Sequence, residues 1–289
     1  MTPPSFHSKV ARLQDRAAMF KSARNFFHQR NVLEVDCPIL STNASIDAHI
    51  DLIAALYQGE KECYMHSSPE FGMKRLIAEG MGDIYQLSHV FRDGELSIKH
   101  NPEFCMAEWY RLGFSLEQMM DETIQFIRLF LGNLSYHAIS YRDLFREKTG
   151  IDYVHATIQE LFDYIQSQQI PFYPSLLDEG KDALLNLILG SQIECELGQE
   201  ELTILAYYPA SQAALACKQW HGEEQIAERF EVYYQGIELA NGYHELTHAS
   251  EQRQRFQEAN LTRLALKKRA LPIDENFLHA LEKGLPDCC

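Results

Sequence analysis

Apolar residues at Val10, Leu13, Ala17, Phe20, Ala23, Phe26 and Phe27 recur at helical spacing. They predict a helix from Ser8 to about Arg30 with one buried face, ended near Asn31. Val32 to Val35 reads as a short strand. Pro38 follows; it cannot donate a ladder hydrogen bond, so Pro38-Ile39-Leu40 belongs at an edge or a chain crossing. Residues 41 to 62 form a polar stretch leading into a weak strand. Strict alternation then takes over. Ile84 to Arg92 and Glu103 to Arg111 predict two strands joined by a polar loop over Asp93 to Pro102. Period two places Phe104, Met106, Glu108 and Tyr110 on one face. Just upstream, Ser68-Pro69-Glu70 opens a helix. Ser68 is a good N-cap, Pro69 suits the first helical position, and Glu70 falls in the first turn, where the helix dipole favours an anion.

Ser115 with Gln118, and Thr157 with Glu160, have the capping-box spacing. The first pair opens a helix reaching about Leu131; the second opens one holding Leu161 and Ile165. Ser140 caps a short helix with Leu144 and Phe145, and Leu184 to Leu189 suggest another. Residues 140 to 200 therefore read as a helical insertion without legible chemistry. Strands return over Leu202 to Tyr208, Ala227 to Tyr234 and, after a turn at Gly236, Ile237 to Leu246. Asn241, Tyr243 and Glu245 share a strand face by parity. Glu231 and Glu238 lie either side of the turn, so their carboxylates could meet on facing strands. A charged helix from Ser250 to Lys268 and a last helical run through Phe277, Leu278 and Leu281 complete the pattern. Residues 1 to 7 read as a disordered lead.

Composition narrows the choices. Hydrophobic residues make up 46% of the 289, ample for a core. A formal net charge of -15 argues against a general nucleic-acid binder, which needs a basic surface to displace counterions. The N-terminus has no apolar signal-peptide core, and no run approaches the ~20 apolar residues that span a bilayer. The seven cysteines are scattered without C-x-x-C spacing and read as reduced thiols of a cytoplasmic protein.

Two constellations compete for the chemistry. His244-Glu245-Leu246-Thr247-His248 matches the H-E-x-x-H zinc-protease pattern. That pattern needs a helix, where both histidines share a face at one metal. The residues before it alternate like a strand, on which the two histidines would stand roughly 13 Å apart. The metalloprotease reading is set aside. The second constellation is the sheet face carrying Phe104, Glu108 and Tyr110, with Arg92 at the strand end. An aromatic ring, a guanidinium and a carboxylate suit a base, a phosphate and an ammonium group.

Phe91-Arg92, with the loop to His100-Asn101-Pro102-Glu103-Phe104, resembles motif 2 of the class II aminoacyl-tRNA synthetases. The run through Met106, Glu108, Trp109 and Tyr110 is similar to the lysyl branch. Arg229 to Tyr234, Gly236 to Thr247 and Tyr208-Pro209-Ala210-Ser211-Gln212-Ala213 resemble the paralogues of that branch which modify a protein. The similarity runs from about residue 9 to the end of the chain. It implies an α+β fold, an antiparallel sheet flanked by helices, with one catalytic domain over 8 to 289. It also implies the reaction: ATP activates (R)-β-lysine or lysine as an adenylate, and a lysine of elongation factor P accepts it.

The resemblance also implies roles for residues. Arg92 would be the catalytic arginine on the α-phosphate. Asp93, Gly94, Asn101, Phe104, Glu238 and Leu239 would join it around ATP, with Phe104 stacked on the adenine. Glu231 and Glu238 would coordinate magnesium (Mg2+). Ser68, Pro69, Glu70, Glu108, Tyr110, Asn241, Tyr243 and Glu245 would surround the amino acid, their carboxylates meeting its ammonium groups. The first helix and the strand ending at Pro38 resemble motif 1, which implies a homodimer. The motif 1 helix begins at Ser8, so no anticodon-binding domain is expected before it. Two departures stand out. Motif 2 of the family has Arg-x-Glu, whereas here Arg92-Asp93-Gly94 puts Glu95 one position late. The chain ends at Cys289, where the family's glycine-rich motif 3 would begin. A synthetase core acting on another acceptor, and a catalytically impaired binding protein, therefore stay open beside the ligase.

Overall fold

A computed structural model of the chain describes residues 8–43 and 45–289. The lead expected over residues 1 to 7 lies outside the described residues. Two compact units form: one runs to Gly113 and resumes over Thr247–Cys288, the other comprises Phe114–Leu246 with Cys289.

The first unit contains α1 (Lys9–His28), β1 (Leu33–Glu34), β2 (Leu40–Ser41), β3 (Ala54–Tyr57), β4 (Lys61–Met65), α2 (Glu70–Ala78), β5 (Ile84–Phe91) and β6 (Glu103–Tyr110). The Ser8 hydroxyl caps α1 by accepting from the Ala11 N–H at 3.2 Å. Asn31 then turns the chain at φ 57°, in the left-handed region that asparagine tolerates. The single buried face predicted for α1 is only partly present. Ala23, Phe26 and Phe27 are buried, but Val10 and Leu13 are 64% and 56% exposed. Spacing sets the helix; burial depends on what packs against it. Phe27 stacks on Tyr85 of β5 with centroids 4.2 Å apart.

β5 pairs in parallel with β1 and antiparallel with β6. Both long strands fall within one residue of their predicted ends. A second sheet has the order β2-β4-β3. The polar stretch over 41–62 therefore hides a hairpin, turned through Gln58 and Gly59, both at positive φ. The later elements of this unit are α7 (Ala249–Ala265) and α8 (Glu275–Gly284), the latter capped by Asp274. Phe71 of α2 stacks on Phe277 of α8 at 4.3 Å and lies 5.5 Å from Phe256 of α7. That aromatic cluster fixes the helix whose first turn carries Glu70.

The second unit contains α3 (Leu116–Leu131), β7 (Tyr136–Ser140), α4 (Tyr141–Thr149), α5 (Ile158–Ser167), α6 (Lys181–Ile188), β8 (Leu202–Pro209), β9 (Lys218–His221), β10 (Glu224–Tyr234) and β11 (Ile237–Tyr243). Both capping boxes close as their spacing implies. The helical insertion buries Leu161, Ile165, Leu184, Leu185 and Ile188 against Tyr141, Phe145 and Leu205. The sheet order is β11-β10-β8-β7, with β9 also on β10. β7 is parallel to β8, and the other pairs are antiparallel.

Two features shape β11. Gly242 lies opposite Phe230, and a Cβ there would come within 2.3 Å of the Phe230 ring, so only glycine fits. The register runs Val232↔Ala240, then Tyr233↔Glu238, which makes Leu239 the extra residue of a bulge. With helices packed on mainly antiparallel sheets, the class is α+β.

Candidate active site

The first unit builds an acidic pocket at the start of α2. Pro69, not Ser68, holds the N-cap position, and it makes no side-chain cap. Ser68 stands one residue earlier and works differently. Its hydroxyl accepts from the Glu70 N–H at 3.0 Å and donates to Glu108 Oε2 at 2.5 Å. Tyr110 donates to the other Glu108 oxygen at 2.9 Å. One turn along α2, the Lys74 ammonium bonds Glu70 Oε1, and the Lys74 side chain is 0% exposed. Opposite Glu108 on β5 lies Gln86, 1% exposed. Its Oε1 accepts from the Cys37 N–H at 2.7 Å, while its Nε2 has no partner among the described residues.

The electrostatics follow from this packing. Burial, then the charge of Glu70, pushes the Glu108 carboxyl up from 4.5 to about 7. Hydrogen bonds from Ser68 and Tyr110 and the charge of Lys74 act the other way. Burial, then Glu108, likewise pushes the Cys37 thiol up to about 11. Two carboxylates share one resident ammonium, so the pocket has negative charge to offer a further cation. Ser68, Pro69, Glu70, Glu108 and Tyr110 thus come together as the sequence suggested. Lys74 and Gln86 were missed. The four-residue spacing from Glu70 to Lys74 was a usable signal; Gln86 emerges only from strand register.

Arg92 follows β5, with its N–H on the Pro102 carbonyl at 2.9 Å. Its guanidinium carbon lies 5.2 Å from the centre of the Phe104 ring, and its buried Nε has no hydrogen-bond partner among the described residues. The Asp93 N–H donates to the Asp51 carbonyl at 2.8 Å, and Gly94 turns the chain at φ +77°. That turn brings Glu95 within 3.9 Å of Arg92. The carboxylate that arrives one position late still reaches the guanidinium. Asn101 is exposed at the end of a loop in which Ser97 and His100 bond each other at 3.0 Å.

The second unit centres on Glu231, 5% exposed. Tyr208 and Tyr233 donate to its Oε2, and Arg229 to its Oε1, with Asn241 Nδ2 3.4 Å from the same oxygen. Arg229 also lies 4.4 Å from the Tyr208 ring and 5.9 Å from the Tyr243 ring. Burial, then the charge of Glu231, holds the Tyr208 phenol well above its ordinary range. Glu231 faces Asn241, whereas Glu238 faces Tyr233. The bulge therefore offsets the two carboxylates that the sequence pattern put face to face. Glu238 and Leu239 are exposed, and Glu245 is 4% exposed.

The H-E-x-x-H segment is not helical. His244 and Glu245 follow β11 in extended chain, with Glu245 bridged to Ala216, and α7 begins only at Ala249. His244 Nδ1 lies 2.6 Å from Glu228. Among the described residues, no group of three or more His, Cys, Asp and Glu side chains is arranged to hold a metal ion.

An α+β fold with an Arg-aromatic strand end and a carboxylate-lined helix start has a match. The chain matches the family model "tRNA synthetases class II (D, K and N)" over residues 7–289, and it belongs to that family. It is 38% identical over 284 residues to the elongation factor P–(R)-β-lysine ligase of Sodalis glossinidius, covering 96% of this chain and 87% of that protein. The Salmonella gallinarum protein of the same name is 38% identical over 286 residues, covering 97% and 87%.

Proposed function

We propose that this chain activates (R)-β-lysine with ATP and transfers it to a lysine of elongation factor P. The substrate carboxylate attacks the α-phosphorus and pyrophosphate leaves. The ε-amine of the acceptor lysine then attacks the acyl carbon, and AMP leaves. The observation that carries this reading is the paired Glu70 and Glu108 with a single resident ammonium, joined to the names of the relatives. Such a pocket has one negative charge left for a substrate ammonium.

The roles divide by chemistry. Glu70, Glu108 and Tyr110 receive an ammonium group, with Ser68 and Pro69 setting the turn that presents them. The family resemblance gives Asn241, Tyr243 and Glu245 of the second unit a part in amino-acid binding. Arg92 meets the α-phosphate, its unpartnered Nε leaving donor capacity, and Phe104 stacks the adenine. Asp93, Gly94 and Asn101 line the nucleotide beside Arg92; the resemblance gives Glu238 and Leu239 of the second unit a nucleotide role. Catalysis rests on orientation and phosphate electrostatics; no side chain serves as nucleophile. Magnesium would neutralise the β- and γ-phosphate oxygens, as it does when held by one or two carboxylates plus phosphate. Glu238, exposed on β11, fits that task. Glu231 does not as it stands, since protein donors already occupy its oxygens.

The exposed Val10, Leu13 and Met19 on α1 support a homodimer. The net charge of -15 favours a protein acceptor over tRNA in the cytoplasm. No helix among the described residues is long and apolar enough to cross a membrane. The test is the intact mass of purified elongation factor P after incubation with the enzyme, ATP and (R)-β-lysine. The reading expects the mass of one added β-lysyl group. An unchanged mass with β-lysine, or a gain only with α-lysine, overturns it.

A further inference from the structure

Lys74 stands out among the buried charges because the reaction as proposed does not use it. Its side chain is 0% exposed, and its ammonium is bonded to Glu70. Glu108 feels both ends of that pair: the charge of Glu70 disfavours its carboxylate, and the charge of Lys74 favours it. The other groups facing Glu108 are the Ser68 hydroxyl, the Tyr110 phenol and the Cys37 thiol.

We propose that Lys74 is a positioning residue that sets the charge of the amino-acid pocket: it balances Glu70, so that Glu108 keeps its negative charge for the substrate ammonium. The proposal rests on the reading of this pocket as the amino-acid site. With Lys74 present, Glu108 ionises near neutral pH; it and Glu70 then carry one unbalanced negative charge, which a single incoming ammonium neutralises. Without Lys74, two carboxylates in one buried site hold that proton to higher pH. Capture of the substrate ammonium then requires that proton to leave. The cost falls on substrate affinity, with little effect on the chemical step.

The substitution Lys74→Met keeps the length and removes the charge. In the full chain, pyrophosphate exchange is followed against pH with (R)-β-lysine varied at saturating ATP. The expected result is a KM for β-lysine about tenfold higher at neutral pH, corresponding to about one pKa unit at Glu108. The acid limb of kcat/KM moves to higher pH, while kcat and the KM for ATP stay close to those of the parent. Lys74→Arg retains the charge and is expected to leave the limb in place. The double variant Glu70→Gln, Lys74→Met removes both opposing charges, and its acid limb is expected to return toward the parent position. It also removes the Glu70 carboxylate that Lys74→Met alone leaves without its ammonium, should Lys74→Met alone fail to fold.

Carboxyl-carbon NMR of Glu108 supplies a readout independent of turnover. Its titration midpoint is expected to rise in Lys74→Met and to return in the double variant. A folded Lys74→Met with an unmoved Glu108 midpoint would overturn the proposal. So would a Lys74→Met failing to fold together with a double variant whose midpoint stands far above the parent's. Parent enzyme that gives no exchange while its Glu108 midpoint responds to Lys74 as described would reject the amino-acid activation reading alone.

Discussion

Glu231→Gln separates two roles that one carboxylate can hold. The resemblance to the synthetases casts Glu231 as a magnesium ligand, whereas its surroundings make it the acceptor for Tyr208, Tyr233 and Arg229. Glutamine keeps the shape and removes the charge opposite a guanidinium whose side chain is only 18% exposed. Removing one partner of a buried ion pair typically costs about 3–5 kcal/mol, and a hydrogen bond to a charged group contributes about 1.5–3 kcal/mol. Two phenols and the arginine depend on this carboxylate, so a loss near the upper part of the ion-pair range is expected. Against a total stability of about 5–15 kcal/mol, that is a large fraction. The assay is urea unfolding followed by circular dichroism, with Glu238→Gln as the comparison. The exposed Glu238→Gln is expected to stay within about 0.5 kcal/mol of the parent and to raise the magnesium concentration needed for exchange. If Glu231→Gln unfolds with the parent while its magnesium requirement climbs, the structural assignment of Glu231 is wrong.

Further tests follow from single residues. Glu108 has a carboxyl raised from 4.5 to about 7, so folding favours its protonated form, and stability is lost as pH rises between those values. Glu108→Gln is expected to flatten that part of the pH–stability curve, read by thermal melts, and to be the more stable protein above it. Ser68→Ala removes a hydrogen bond to a charged carboxylate worth about 1.5–3 kcal/mol. Its KM for β-lysine is expected to rise about tenfold or more, since 1.4 kcal/mol is about a factor of ten. Gly198→Ala places a Cβ 2.5 Å from the Tyr233 carbonyl at φ +69°. Backbone strain alone costs about 1–3 kcal/mol there, and a loss of soluble yield or a lower melting temperature is expected. Arg92→Ala, at a partly exposed side chain, is expected to abolish exchange while leaving the melt unchanged.

The features legible in advance were those written in local chemistry. Ser115 with Gln118 and Thr157 with Glu160 state their helix starts outright, and the alternation through β5 and β6 states both strands and the face bearing Glu108 and Tyr110. The unread elements are those that partners create. β7 and β9 are short and largely exposed, and become strands only by pairing with β8 and β10. Leu239 gives no sign of a bulge, yet that bulge moves Glu238 from Glu231 to Tyr233. Ser68 was recognised as a hydroxyl of consequence, but its link to Glu108 spans 40 residues and belongs to the tertiary structure. The same is true of Gln86, whose position opposite Glu108 depends wholly on register.

Pyrophosphate exchange with (R)-β-lysine, compared between the parent and Glu108→Gln at neutral pH, bears most directly on the acidic pocket as the amino-acid site. Ready exchange by the parent, preferring β-lysine to α-lysine, and a KM for β-lysine raised by an order of magnitude or more in the variant is the predicted result. Exchange by the variant with an unaltered KM for β-lysine would contradict it.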